Sequence, residues 1–378
     1  MLAAATFVIN VNATSLAPFL LQIADELAVG MLAAGILIAV SSVVWGTASA
    51  FSGALSDRFG RKPLLIGGLA LLIVSPLGLA SAQSYPAAVF WRVLSGVGGG
   101  TFMGSVFATV ADRFPSERRG QALGWIVTGM SLSMVAGVPG VTFLGSLLGW
   151  RGAIASQAVA IAAALVLVIM VVPGGVLDGR SRRSSSVPLR QVLRPRVVAL
   201  LLANTMERLC YAGVVVYLAT FLIATYGLDY ATLALILALV AIGNLAGNMV
   251  GGFLADHLPD RLLTAAGALV ATGLLAWPLL GLEPGIWISA GIGVCYTFVN
   301  AIARPALLAT LSDVSAEARG AVMGMTSTFA SFGWLAASAV GGLLIASVGF
   351  GALGALASLV AFAGASLAVT CRVVRLDP

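Results

Sequence analysis

Apolar, charge-free runs of about twenty residues recur along the chain, separated by short clusters of charge, proline, glycine and small polar residues. A helix rising 1.5 Å per residue needs about 20 residues to cross a hydrocarbon core of ~30 Å, and these runs have that length. Cutting at the polar clusters predicts twelve spans, at 3–23, 31–52, 64–82, 87–111, 121–146, 152–172, 197–224, 231–253, 262–281, 286–310, 320–346 and 350–371. The last cut rests only on Ser347-Val348-Gly349, inside an interval that carries no charge before Arg372. Short segments alternating apolar and polar residues, the mark of an outer-membrane barrel, are not seen. The expected fold is all-α and integral to a membrane.

Composition agrees. Hydrophobic residues make up 60% of the 378, charged residues 9%, and the mean hydropathy is +1.06, more than a soluble core hides. Lysine and arginine remain preferentially on the cytoplasmic side of short loops. With the N-terminus inside, the inner loops and tail hold most of the 20 basic residues, and Arg151 is the one in an outer loop. The outer loops hold Asp25, Glu26, Asp229 and Glu283. Both termini are therefore expected on the cytoplasmic side of the membrane. A basic inner face beside anionic lipid accounts for the net charge of +6 without a nucleic-acid partner. Cys210, Cys295 and Cys371 have no paired or metal-ligand spacing and read as small apolar residues. The first span begins almost at Met1 without a basic n-region or a cleavage site, so a removed signal peptide is not expected.

The most polar interval, residues 172–196, carries arginines, prolines and a serine run and reads as a linker. It divides the chain into an expected six-helix bundle at 1–172, a cytoplasmic linker at 173–196 and a second bundle at 197–378. Gly53-Ala54-Leu55-Ser56-Asp57 matches Gly252-Phe253-Leu254-Ala255-Asp256, 199 residues on, and Ser116-Glu117-Arg118-Arg119-Gly120 matches Ala316-Glu317-Ala318-Arg319-Gly320, 200 residues on. Two matches at nearly one offset indicate a duplicated unit.

The repeats, the segment from Gly53 through Asp57, Arg58, Gly60 and Arg61 to Lys62, and the series Arg92, Gly96, Gly98 in span 4 resemble the major facilitator superfamily over essentially the whole chain. Span 5, "GMSLSMVAGVPGVTFLGSLLGW", further resembles the drug:proton antiporters, especially the sugar and nucleoside efflux branch. The resemblance implies two pseudo-symmetric six-helix halves alternating access to a central site. It also implies a gating latch: Asp57 meeting the start of span 11 near Gly320, Arg61 linked to Asp112, and Gly53 allowing close approach. A carboxylate facing a helix N-terminus suits that part. In the second copy the acid persists as Asp256 but the Arg-x-Gly-Arg-Lys part does not, so the mirror latch is expected to be weaker. Read without the resemblance, Arg58, Arg61 and Lys62 fix topology.

Arg92, Glu207, Arg208 and Arg304 lie inside spans, where a charge costs at least ~2.5 kcal/mol. Glu207 is the only acid among them and lies ~15 Å into span 7, near the midplane. It is either a proton-coupling carboxyl or one half of a fixed ion pair with Arg92, Arg208 or Arg304. By resemblance, Arg92 is a second candidate for proton handling, while Gly96 and Gly98 serve tight packing. Gly137, Pro139, Gly140 and Gly145 are expected to kink span 5 against a neighbour. Tyr296, Asn300 and Arg304 recur at helical spacing and form a polar stripe on span 10. Together with Asn10, Asn12, Arg208, Tyr211, Asn244 and Asn248 they are candidates for the substrate cavity, interhelical hydrogen bonding being the alternative for each asparagine.

His257 is the only histidine, and no metal cluster, nucleophile–base pair or phosphate loop stands out, so neither an enzyme nor a cofactor is expected. The expected activity is transport of a small molecule, foremost as an efflux antiporter coupled to protons. Uptake by symport or uniport of a polar or anionic solute, and a membrane sensor that has lost transport, are the alternatives. Expected partners are the substrate, protons and the lipid bilayer, with the protein a monomer.

Overall fold

The computed structural model describes residues 1–113, 116–172, 194–313 and 319–373, with side chains except at 53, 54, 57, 111–113, 116–120, 122, 123, 319–321, 323, 324 and 327. The described elements are helical: α1 (Leu2–Thr14), α2 (Leu20–Glu26), α3 (Met31–Phe59), α4 (Arg61–Ser81), α5 (Tyr85–Arg113), α6 (Ser116–Leu132), α7 (Val138–Val171), α8 (Pro195–Tyr226), α9 (Tyr230–His257), α10 (Arg261–Gly281), α11 (Ile286–Ser312), α12 (Arg319–Ser347) and α13 (Phe350–Val373). A 3-10 turn at Ala17–Phe19 joins α1 to α2, and a π turn at Ser133–Gly137 joins α6 to α7.

Eleven stretches among the described residues are long and apolar enough to cross a membrane, and one of them, Gly124–Val171, runs for 48 residues. At 1.5 Å per residue that is about 72 Å, more than twice a hydrocarbon core. Gly149 resolves the excess. Its φ of 66° and ψ of 172° are non-helical and in a region open mainly to glycine, so α7 is two helices meeting at a bend, and the described residues hold twelve stretches long and apolar enough to cross. The doubtful last turn is also present: α12 ends at Ser347, and Gly349, with φ 105°, precedes α13. The first expected span is interrupted, because Pro18 cannot donate to a helical ladder and the chain takes a 3-10 turn there.

The chain forms two compact units, one built on α1 to α7 with the start of α9, Asp229–Ala238, the other on α8, the rest of α9 and α10 to α13. Ile9, Leu65, Leu69, Phe102, Val106 and Ile161 lie at the centre of the first, and Leu200, Leu201, Leu269, Leu307 and Leu311 at that of the second. Large apolar side chains also face outward, as at Met170 (76% exposed) and Val159 (74%). Lipid makes that outer surface stable, and it removes the hydrophobic gain that would otherwise pull helices together.

Close approach supplies the replacement. A Cβ on Gly96, Gly100 or Gly104 of α5 would lie 2.7 Å from the Ser41 carbonyl, 2.3 Å from the Trp45 carbonyl or 1.6 Å from Ser52 Oγ of α3. In the second unit the glycines sit on the other partner. Gly247 of α9 would place a Cβ 2.1 Å from the Phe298 carbonyl of α11, and Gly243 one 2.7 Å from that of Val294. A Cβ on Gly98 would likewise lie 2.9 Å from the Gly68 carbonyl of α4, so tight packing is the role observed for Gly96 and Gly98.

Candidate functional site

Glu207 and Arg208 are neighbours near the middle of α8, about 18 Å along it from Pro195. Adjacent helical residues do not normally face each other. Here the long arginine stem folds back, and the guanidinium donates from Nε to Glu207 Oε2 at 2.6 Å and from Nη2 to Oε1. Glu207 is wholly buried and Arg208 is 5% exposed. Of the three partners the sequence allows for Glu207, the structure selects Arg208.

Residues from three helices complete this cluster in the second unit. Arg208 Cζ lies 4.7 Å from the centre of the Tyr211 ring, and Tyr211 meets the Trp334 ring of α12 edge-on at 6.2 Å. The helices approach closely because Gly333 packs on the Thr205 carbonyl and Arg208 Cβ. From α11, Tyr296 donates its hydroxyl to the Cys210 carbonyl at 2.8 Å. One turn on, Asn300 is fully buried, and neither its Nδ2 nor its Oδ1 has a hydrogen-bond partner among the described residues. Arg304 interacts electrostatically with Arg208, Glu207 and Tyr211, and has no ion pair or hydrogen bond among the described residues. The Tyr296, Asn300 and Arg304 stripe therefore faces the Glu207 pair, and the cluster carries two cations against one anion. Trp334 is a member that periodicity did not indicate, and Asn204, one turn before Arg208 on α8, has a buried amide with no hydrogen-bond partner among the described residues.

The remaining asparagines are engaged. Asn10 donates to Ser133 Oγ at 2.5 Å and to the Met130 carbonyl at 3.3 Å, bracing the π turn that precedes Pro139. Asn12 donates to Gln157 Oε1 and accepts from Ser95 Oγ, both at 2.9 Å, and Gln157 continues to Ser15 Oγ at 2.8 Å. Asn248 donates to the Asn244 carbonyl at 2.9 Å and to its Oδ1 at 3.1 Å within α9. Gly137 and Gly145 pack against Val11 and Phe19, whereas Gly140 is open. Arg92 belongs to the first unit. It is 2% exposed and donates from Nε to the Leu37 carbonyl at 3.0 Å.

Much of the expected latch, at Gly53, Asp57, Asp112 and Gly320, lies outside the described side chains. Arg61 is described, and its Nη1 donates to Ser56 Oγ. The second copy lacks the Arg-x-Gly-Arg-Lys part, yet it holds an ion pair of its own. Arg261, 200 residues after Arg61, pairs through Nη1 with Asp313 Oδ2 at 2.5 Å and donates from Nε to the Ala255 carbonyl at 2.8 Å. A one-residue shift between the copies hid this arginine from the motif. Asp256 is exposed, with no hydrogen bond among the described residues. Asp260 caps α10 by accepting from Leu263 N at 3.0 Å, and also takes the Arg372 guanidinium. Burial works to raise its pKa, but these donors together hold the carboxyl below its usual range.

A family model described as Major Facilitator Superfamily matches residues 2–338. Among curated proteins, the Chloramphenicol resistance protein of Streptomyces lividans is 28% identical over 286 residues, 75% of this chain and 72% of that one. The Inner membrane transport protein YdhP of Escherichia coli (strain K12) is 26% identical over 358 residues, 93% of this chain and 90% of that one. Among solved structures, a bacterial homolog of the human lysosomal transporter Spinster, inward-facing and unoccupied, aligns with a TM-score of 0.72 at 13% identity, covering 98% of this chain and 94% of that one.

Proposed function

The chain belongs to the major facilitator superfamily, and from that premise we propose that it exports a small organic molecule across the bacterial cytoplasmic membrane in exchange for protons. It is a multi-pass membrane transport protein and not an enzyme. The observation that carries the proposal is Glu207, wholly buried at mid-helix, held by one arginine and within the field of a second.

Antiport requires that proton and substrate exclude each other. A neutral molecule that donates a hydroxyl or amide hydrogen to the Glu207 carboxylate, and accepts from Arg304 and Asn300, meets that condition, because protonating Glu207 turns one acceptor oxygen into a donor and removes the charge that strengthens the other. The name of the Streptomyces lividans relative supports export. Arg304, which has no ion pair among the described residues, favours a second reading. An anionic solute binds best when protonation of Glu207 frees Arg208 to join Arg304, so proton and solute travel together, as in uptake by symport.

The same proposal gives Asp57, Gly53, Arg61 and Asp112 the part of an inner latch, with Arg261 and Asp313 supporting it as a counterpart in the second unit. Asp256 is assigned to the weaker mirror latch of the second copy. Both termini are assigned to the cytoplasm and the working unit to a monomer. The test is proton movement in proteoliposomes, read with an internal pH dye while neutral, anionic and cationic compounds are added, for wild type and Glu207→Gln. Outward antiport predicts proton flux opposite to substrate and dependent on Glu207. Flux in the same direction selects the anionic symport reading, and labelled-substrate movement with no proton signal in either protein removes coupling from both.

A further inference from the structure

Arg92 raises a charge problem in the first unit that the transport proposal does not use. Its guanidinium is 2% exposed, and its single observed hydrogen bond goes from Nε to the Leu37 carbonyl. Nη2 is buried with no acceptor among the described residues. A guanidinium does not solve such a problem by releasing its proton. Burying it without a counter-charge is among the most costly arrangements available to a span.

A small cavity of about 10 Å³ adjoins it, lined by Arg92, Asn12, Ser75, Pro76, Trp91 and Ser95 with two aliphatic side chains. Ser75 is 1% exposed and its Oγ is likewise unpartnered among the described residues. Asn12 and Ser95 are occupied with each other and with Gln157, so Asn12 Oδ1 already has a donor. No carboxylate lines the cavity. What remains facing it are donors, the guanidinium and the Ser75 hydroxyl, in a space of about one water's size, which among common anions a monatomic halide comes nearest to filling. A carboxylate, phosphate or sulfate group is too large. A water molecule satisfies donors but leaves the charge of Arg92 uncompensated.

We infer that this cavity binds a chloride ion, held by Arg92 and Ser75, which neutralises the buried guanidinium within the first six-helix unit. The ion is structural and separate from the Glu207 cluster. Trp91, packed on Gly78, forms part of the wall and serves as a reporter.

The experiment uses the full-length protein in detergent at constant ionic strength, with chloride or bromide replacing gluconate. The melting temperature of wild type should rise by a few degrees over a hundredfold increase in chloride, as for any ligand that binds only the folded state. Bromide should quench a saturable part of the tryptophan emission at the same midpoint, and Trp91→Phe should remove that part. Arg92→Gln should abolish the chloride response, whereas Arg304→Gln should leave it intact. Ser75→Ala should weaken the apparent chloride affinity several-fold, and this milder variant decides the matter if Arg92→Gln does not fold. A melting temperature equal in chloride and gluconate, the result for a water in the cavity, overturns the inference. So does a response that survives Arg92→Gln, is unchanged by Ser75→Ala, or is lost in Arg304→Gln.

Discussion

Replacing Glu207 by Gln leaves Arg208 and Arg304 facing each other in a buried cluster without their anion. In charge units the cluster passes from +1 to +2, since wild type holds Glu207 against two arginines. Breaking a buried pair by removing one partner costs about 3–5 kcal/mol, and the added repulsion puts Glu207→Gln toward the upper end. Adding Arg208→Gln returns the cluster to +1 and removes the orphaned guanidinium. The double variant should therefore be more stable than the sum of the singles predicts, by about 2 kcal/mol, within the range for residues in direct contact. Adding Arg304→Gln to Glu207→Gln should also recover stability, although it deletes a side chain and replaces no contact. The assay is reversible unfolding in mixed micelles, followed by tryptophan emission, with all variants at one protein and detergent concentration. Single effects that add to within about 0.5 kcal/mol, or an Arg304→Gln change that further destabilises Glu207→Gln, would refute the three-charge description.

Gly247→Ala should destabilise by about 1–3 kcal/mol, because the new methyl meets the Phe298 backbone, while Gly252→Ala, with open space around it, should change stability by less than about 0.5 kcal/mol; unfolding midpoints compare the two. Asp260 has a depressed folded pKa, so its contribution is complete above the unfolded carboxylate value and is lost as pH falls through the folded one. Asp260→Asn should therefore lower stability at neutral pH by under about 1 kcal/mol, with the gap to wild type closing in acid, as an unfolding series against pH will record. Arg151 bonds to Glu26 and to the Ala80 and Ala82 carbonyls, so Arg151→Ala should cost about 1–3 kcal/mol in the same assay and Arg151→Lys should recover only part of it.

Hydropathy and turn chemistry made most crossings legible, since each needs a long apolar run and most end at a glycine, a proline or a charge. The helices nevertheless outrun the predicted spans. α3 continues from the expected end at 52 to Phe59, because charges stop an apolar run but not a hydrogen-bond ladder. The break at Pro18 was visible in the residues but was masked by the apolar run around it. Within the site, the stripe on α11 followed from spacing alone. The pairing of Glu207 with Arg208 did not, because neighbours on a helix diverge by about 100° and only the flexible arginine stem allows contact. Trp334 carried no periodic signal, since its place depends on Gly333 meeting α8. Asn10 and Asn12 read equally as ligand or interhelical groups, and their partners, Ser133 and Gln157, lie more than a hundred residues away and could not be read from spacing.

The two tight helix pairs, α3 with α5 and α9 with α11, obtain the same closeness from opposite members: α5 yields in the first, α9 in the second. Interchangeability of parts follows from this. A chimera joining α3 to α11 would bring the Trp45 face against that of Phe298 with no glycine between them. The reciprocal chimera, α9 with α5, would set glycine against glycine and leave voids. A single helix copied from one repeat into the other is thus a poor graft, whereas the pair moves as one piece. For anyone recombining such transporters, the crossover points belong outside each pair, and after the duplication each pair was free to drift only as a unit.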